Sequence, residues 1–172
     1  MSKMESEGTP KELRSSSFKE KEGDPGFLVA KGRFVAPSES ELRDLMRASV
    51  PTTDPRIPEL KRKIDDERRH LEKKHVKDLA SAIYMAVSNH GYATIRCIGR
   101  NANYNAIKAM SIANGYCTTK GIRLSFTPSF DQGNLGVLRN EQHVDNVTAI
   151  IFTLEGYKMS DPNSESVSEP IS

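Results

Sequence analysis

Between residues 92 and 116 the spacing of apolar side chains changes period once. Ala93, Ile95 and Cys97 alternate with Thr94, Arg96 and Ile98, the two-residue period of a strand. After Gly99 the apolar positions fall at Ala102, Ala106, Ala109, Met110 and Ala113, the spacing of one helical face. The segment therefore reads as strand, glycine corner and helix. The buried stripe of that helix is almost all alanine, which lets its axis lie close to a sheet beneath it. At the corner, Gly99-Arg100-Asn101 sets a cation beside the unpaired N–H groups of a helix start, a plausible seat for phosphate.

Similar patterns place the remaining elements. FLVAKGRFV, 27–35, reads as a strand in which Gly32 marks a bulge or an edge. Ser38 followed by Glu41 has the form of a capping box before a short helix carrying Leu42, Leu45 and Met46. Three prolines make 50–58 a linker. A long helix then runs from Glu59 to the stop at Asn89-His90-Gly91, with Gly91 in the left-handed position. Its first half is nearly all charge, and unbroken it would project beyond any core on which the second half packs. Val76, Leu79, Ala80, Ile83 and Val87 form the amphipathic face of that second half. Ile122, Leu124 and Phe126 alternate in a strand ended by Pro128. VTAIIFTL, 147–154, is apolar on both faces and reads as a central strand. The order predicts an α/β two-layer sandwich: a four-stranded mixed sheet with two helices on one face (β-α-β-α-β-β), plus an inserted charged helix.

Composition sharpens the boundaries. Of 172 residues, 36% are apolar and 28% charged, so the core occupies only part of the chain. Residues 1–26 read as a disordered arm, 27–157 as the domain with an insertion at 36–74, and 158–172 as a disordered acidic tail. The net charge of +2 is uneven, and residues 56–74 carry the basic excess. Two cysteines do not make a disulfide framework and suit a reducing compartment. No apolar run approaches the ~20 residues of a membrane helix, and the N-terminus lacks an apolar signal core. The expected location is the cytoplasm or nucleus, with no membrane partner.

The residues that carry the chemistry also carry a resemblance. LASAI (79–83), HGYATIRCIGRNANYNAIKAMSIANGY (90–116), GIRLSFTPSF (121–130) and VTAIIFTLEGY (147–157) resemble the stage V sporulation protein S family, of the Alba-like superfamily. The resemblance covers about half the chain, 76–157. It implies the same order of strands and helices, a tendency to homodimerise, binding of DNA or RNA, and no enzymatic activity. Two features depart from it. The segment from 36 to about 74 is inserted between first strand and first helix. The loop 131–145 is acidic, with three acids against Arg139, where nucleic-acid-binding Alba proteins carry a basic arm. Leu135, Val137 and Leu138 on that loop suit a protein contact better than phosphate.

The candidate nucleic-acid contacts are Arg96, Arg100, Asn101, Asn103, Lys108, Lys61, Arg62 and Lys63. Each has a plainer reading. Arg100 is either a phosphate ligand or a solvent-facing residue at a turn. Asn101 and Asn103 donate to a sugar or phosphate, or cap the helix, the commoner duty of asparagine there. Arg96 and Lys108 extend a basic surface or are simply solvated. The run Lys61-Arg62-Lys63, with Arg68-Arg69 and Lys73-Lys74, tracks an acidic polymer. Alternatively, interleaved Asp65, Asp66, Glu67 and Glu72 cancel it within a Debye length of about 8 Å. His70, His75, His90 and His143 have no ligand spacing, so no metal, cofactor or small-molecule substrate is expected. No paired carboxylates, P-loop or nucleophile elbow appears, which argues against an enzyme. The leading expectation is a non-enzymatic protein that contacts nucleic-acid backbone electrostatically, with no base-reading aromatic evident. The alternative is a structural or scaffold protein using the same fold, with protein contacts through 1–26, 36–74 and 131–145 in a larger assembly, a cytoskeletal or other repeating polymer.

Overall fold

A computed structural model describes residues 24–48, 51–131, 137–139, 142–144 and 149–159; at 131, 137–139 and 142–144 only the backbone is described. Alternating apolar residues build the sheet. β1 (Phe27–Ala30) pairs in parallel with β2 (Tyr92–Cys97), which pairs antiparallel with β6 (Ala149–Lys158). β3 (Ile122–Asp131) closes the other side of β6, also antiparallel, giving the order β1-β2-β6-β3. Register and period place Ala30, Cys97, Ile150 and Phe130 in one row, and Leu28, Ile95, Phe152 and Pro128 in the next. Both rows face the helices. Val29, Arg96, Ile151 and Ser129 form a row on the opposite face.

α1 (Glu39–Arg47), α2 (Arg56–His90) and α3 (Arg100–Thr118) complete the domain. The main core joins Ile83, Val87 and Leu79 of α2 to Ile95, Cys97, Phe152 and Leu154 of the sheet. The alanine stripe of α3, Ala102, Ala106, Ala109 and Ala113, is at most 1% exposed. Its closest partner is α2 more than the sheet, because α2 presents Ala80 and Ala86 to the same core and the two helices approach on small side chains. Burial pushes the Cys97 thiol up to about 12 and raises that of Cys117, so both are neutral packing groups.

Several sequence expectations are corrected. β1 ends at Ala30, because residue 31 turns its N–H to a side chain on α2 instead of a neighbouring strand. Ser38 forms no capping box with Glu41. Its Oγ and N–H instead donate to Glu67 of α2 at 2.7 and 3.0 Å, and Glu39 accepts from the Ala36 N–H at 2.9 Å. α2 starts at Arg56, where the Asp54 carboxylate accepts the Arg56 N–H, and takes Pro58 into its first turn, where the missing donor costs nothing. It is unbroken over 35 residues, about 52 Å long. Its charged half does not stand bare. Leu60 and Ile64 pack with Ala36 against Leu42 and Leu45 of α1, a second small core. β3 continues through Pro128 to Asp131, which an edge strand permits. Lys158, placed in the tail by composition, closes β6. Gly91 is left-handed, as the sequence predicts, with φ 80°.

β4 (Val137–Arg139) and β5 (Gln142–Val144) pair antiparallel as a separate two-stranded ribbon. Leu135 lies outside the described residues, as do 1–23 and 160–172. Among the described residues no helix is long and apolar enough to cross a membrane.

Candidate nucleic-acid interface

Gly99, at φ 84°, stands where a capping side chain would be, and no side chain caps α3. The asparagine caps read from sequence are therefore absent. Arg100 and Asn101 open the helix on the surface, while Asn103 is half-buried with its Oδ1 lacking a hydrogen-bond partner among the described residues. The loop after β1 closes on this helix start. A Cβ on Gly32 would sit 2.7 Å from the Ala102 nitrogen, so only glycine allows so close an approach. Asn105, fully buried, holds the same loop by donating from Nδ2 to the Lys31 carbonyl at 3.0 Å.

The approach creates an open groove of about 500 Å³ between the loop, α2 and the start of α3. Its walls are Gly32, Arg33, Phe34, Asp65, Arg68, Arg69, Glu72 and Asn101. Three arginines thus meet two carboxylates and the amide at the helix N-terminus. Arg68 is the most committed, at 3.0 Å from Glu39 and 3.9 Å from Asp65. Arg69 lies 3.6 Å from Asp66, with both side chains well exposed, a pair that water and salt readily open. Arg33 has no ion pair among the described residues.

The sequence candidates separate on this geometry. Asn101 lines the groove, with Arg100 beside it. Lys108 lies two turns along α3, 3.1 Å from Glu72 and over the Tyr104 ring at 4.1 Å from its centroid. The carboxylate bond raises its pKa above the ordinary lysine value. Lys61 lines a second groove, between α1 and α2, with Arg43, Glu39 and Arg68. Arg62 and Lys63 are exposed on the same half of α2. Arg96 projects from the opposite face of the sheet and does not join the groove. For Val137 and Leu138 the structure gives only the β4 backbone. Sequence reasoning missed Arg33, Phe34 and Tyr104. The only signal for the first two was Gly32, taken as a bulge when it marks the close approach to Ala102.

His75 fastens the loop that carries Arg33. Its Nε2 accepts the Lys31 N–H at 3.0 Å, and Phe34 packs on its ring, with centroids 5.3 Å apart. An accepting Nε2 requires the neutral ring. Burial first, then the Lys31 charge, lowers its pKa below 6.5, against an opposing pull from Asp78. Above 6.5 the folded and unfolded chains are both neutral here. As pH falls below that value the unfolded chain takes up the proton first, so stability falls until the folded pKa is passed. Denaturant midpoints should drop as pH falls below about 6.5, and His75→Gln should flatten that drop. An unchanged pH profile in the variant would remove His75 from the loop's support.

Among the described residues no group of three His, Cys, Asp or Glu side chains is placed to hold a metal ion. The family model of Stage V sporulation protein S (SpoVS) matches residues 72–156. No curated protein matches the chain. Asn101, Tyr104 and Lys108 fall inside the matched segment, and Arg33, Arg68 and Arg69 outside it.

Proposed function

Because the segment 72–156 belongs to the stage V sporulation protein S family, we propose that the protein is a non-enzymatic nucleic-acid-binding protein that contacts DNA or RNA backbone through the arginine groove. The observation that carries this reading is the convergence of Arg33, Arg68 and Arg69 on Asn101 at an uncapped helix start. Arginine matches phosphate geometry with paired donors, and a helix N-terminus adds partial positive charge. Arg100 and the exposed Lys61, Arg62 and Lys63 extend the field along both helices. The acidic pairs within the groove keep the field modest, so affinity rests on a few close contacts. Such a protein works in the cytoplasm or nucleus.

A second reading, a structural protein, has an observation of its own. Phe126 and Phe130 are 53% and 72% exposed on the edge strand, and Ile107 is half-exposed on α3. With Met110, Leu124 and Leu154 most of these border an apolar groove of about 180 Å³. Exposed apolar surface of this kind suits a protein partner, a second copy of the chain or a cytoskeletal polymer. Purification from the native source with and without nuclease separates the readings. Nucleic acid that co-purifies and is released by nuclease supports the first. A protein assembly indifferent to nuclease supports the second and overturns the first.

A further inference from the structure

The surface of α3 beside the arginine groove carries an aromatic stripe that backbone binding alone does not use. Asn101, Tyr104 and Lys108 follow one another at i, i+3 and i+7, so they form one line along the helix. Asn101 lines the groove, and Lys108 is tied to Glu72, which lines it too. Tyr104 therefore stands at the rim between them. It is 58% exposed, and the Lys108 ammonium lies over its ring at 4.1 Å from the centroid. Within the groove itself, Phe34 is a second aromatic wall.

Resting on the nucleic-acid reading, we infer that this groove takes single-stranded rather than duplex nucleic acid, with a base stacked on the face of Tyr104 opposite Lys108. A ring exposed next to arginines and steadied by a cation is the platform that unpaired bases use, since every base has a π-face. Bases inside a duplex keep theirs covered. The carboxylates point the same way. Asp65 and Glu72 repel a continuous lattice of phosphates, but they accept hydrogen bonds from the Watson–Crick N–H groups, such as the thymine imino, that only unpaired bases expose. Arginine for phosphate, carboxylate for base edge and tyrosine for base face together describe one strand with its bases turned inward.

The test uses the full chain and a fluorescently labelled oligothymidylate, alone or annealed to oligoadenylate, followed by anisotropy at low salt. The single strand should bind more tightly than the duplex. Tyr104→Ala should weaken single-strand binding by about 5- to 100-fold while leaving duplex binding nearly unchanged. Tyr104→Phe, which keeps the ring, should retain single-strand affinity. Equal binding of both forms by the native chain overturns the inference and leaves the groove reading standing. So does an equal loss of both in Tyr104→Ala. Binding of neither form defeats the underlying reading as well.

Discussion

Ile83→Ala should lower the folding free energy by about 2–5 kcal/mol, the largest single-residue effect expected in this protein. Ile83 is 0% exposed in the last third of α2, inside the one core that α2, α3 and the sheet share. Its neighbours include Val87, Ile95 and Leu154, which are also fully buried, and the alanine stripe of α3. Alanines have no side-chain length with which to fill a void, so collapse around the lost atoms should be poor. The cavity term then adds to the transfer term. Urea unfolding followed by circular dichroism measures the loss. A change below about 1 kcal/mol would mean that the site closes over the deletion and that the helices are not fixed by this contact.

The main core was legible in sequence because each of its elements repeats a clean period. Ala93-Ile95-Cys97, the alanine stripe and the Val76–Val87 face each announce both element and buried side. The closing strand, apolar on both faces, sits between two neighbours as its pattern requires. What escaped were arrangements made by residues far apart in the chain. Glu67, 29 residues from Ser38, replaces the local cap that Glu41 was expected to supply. His75 reaches across 44 residues to hold the Lys31 N–H. Neither leaves a periodic trace.

The candidate site divides along the same line. The Gly99-Arg100-Asn101 corner was visible because glycine, cation and helix start are contiguous. Arg33 was not, because its importance depends on where Gly32 lets the chain pass. The charged run on α2, open in sequence to a polymer track or a solvated face, divides in the structure between firmly held and loosely paired arginines. Arg68 is held by Glu39 and Asp65, whereas Arg69 faces the groove with only a loose partner. Tyr104 gave no sequence signal, since a single aromatic on a polar helix face has no period.

Arg33→Glu combined with Arg69→Glu should reduce nucleic-acid affinity more than any other change on the surface. Each reversal removes a proposed phosphate ligand and puts a repelling charge in its place. Asp65 and Glu72 then leave the groove net acidic, with Arg68 its one remaining arginine. Both residues are exposed and neither belongs to a buried cluster, so thermal unfolding of the variant should match the native chain.

The most direct measurement is the affinity of the native chain for a labelled single strand as salt is raised. With Arg33, Arg68, Arg69 and Arg100 as the phosphate ligands, the logarithm of affinity should fall linearly with the logarithm of salt, with a slope of about −3. The charge-reversal pair should flatten that slope by about half. A native slope near zero, or a slope that the pair leaves unchanged, would mean that these arginines do not hold phosphate and that the groove has another use.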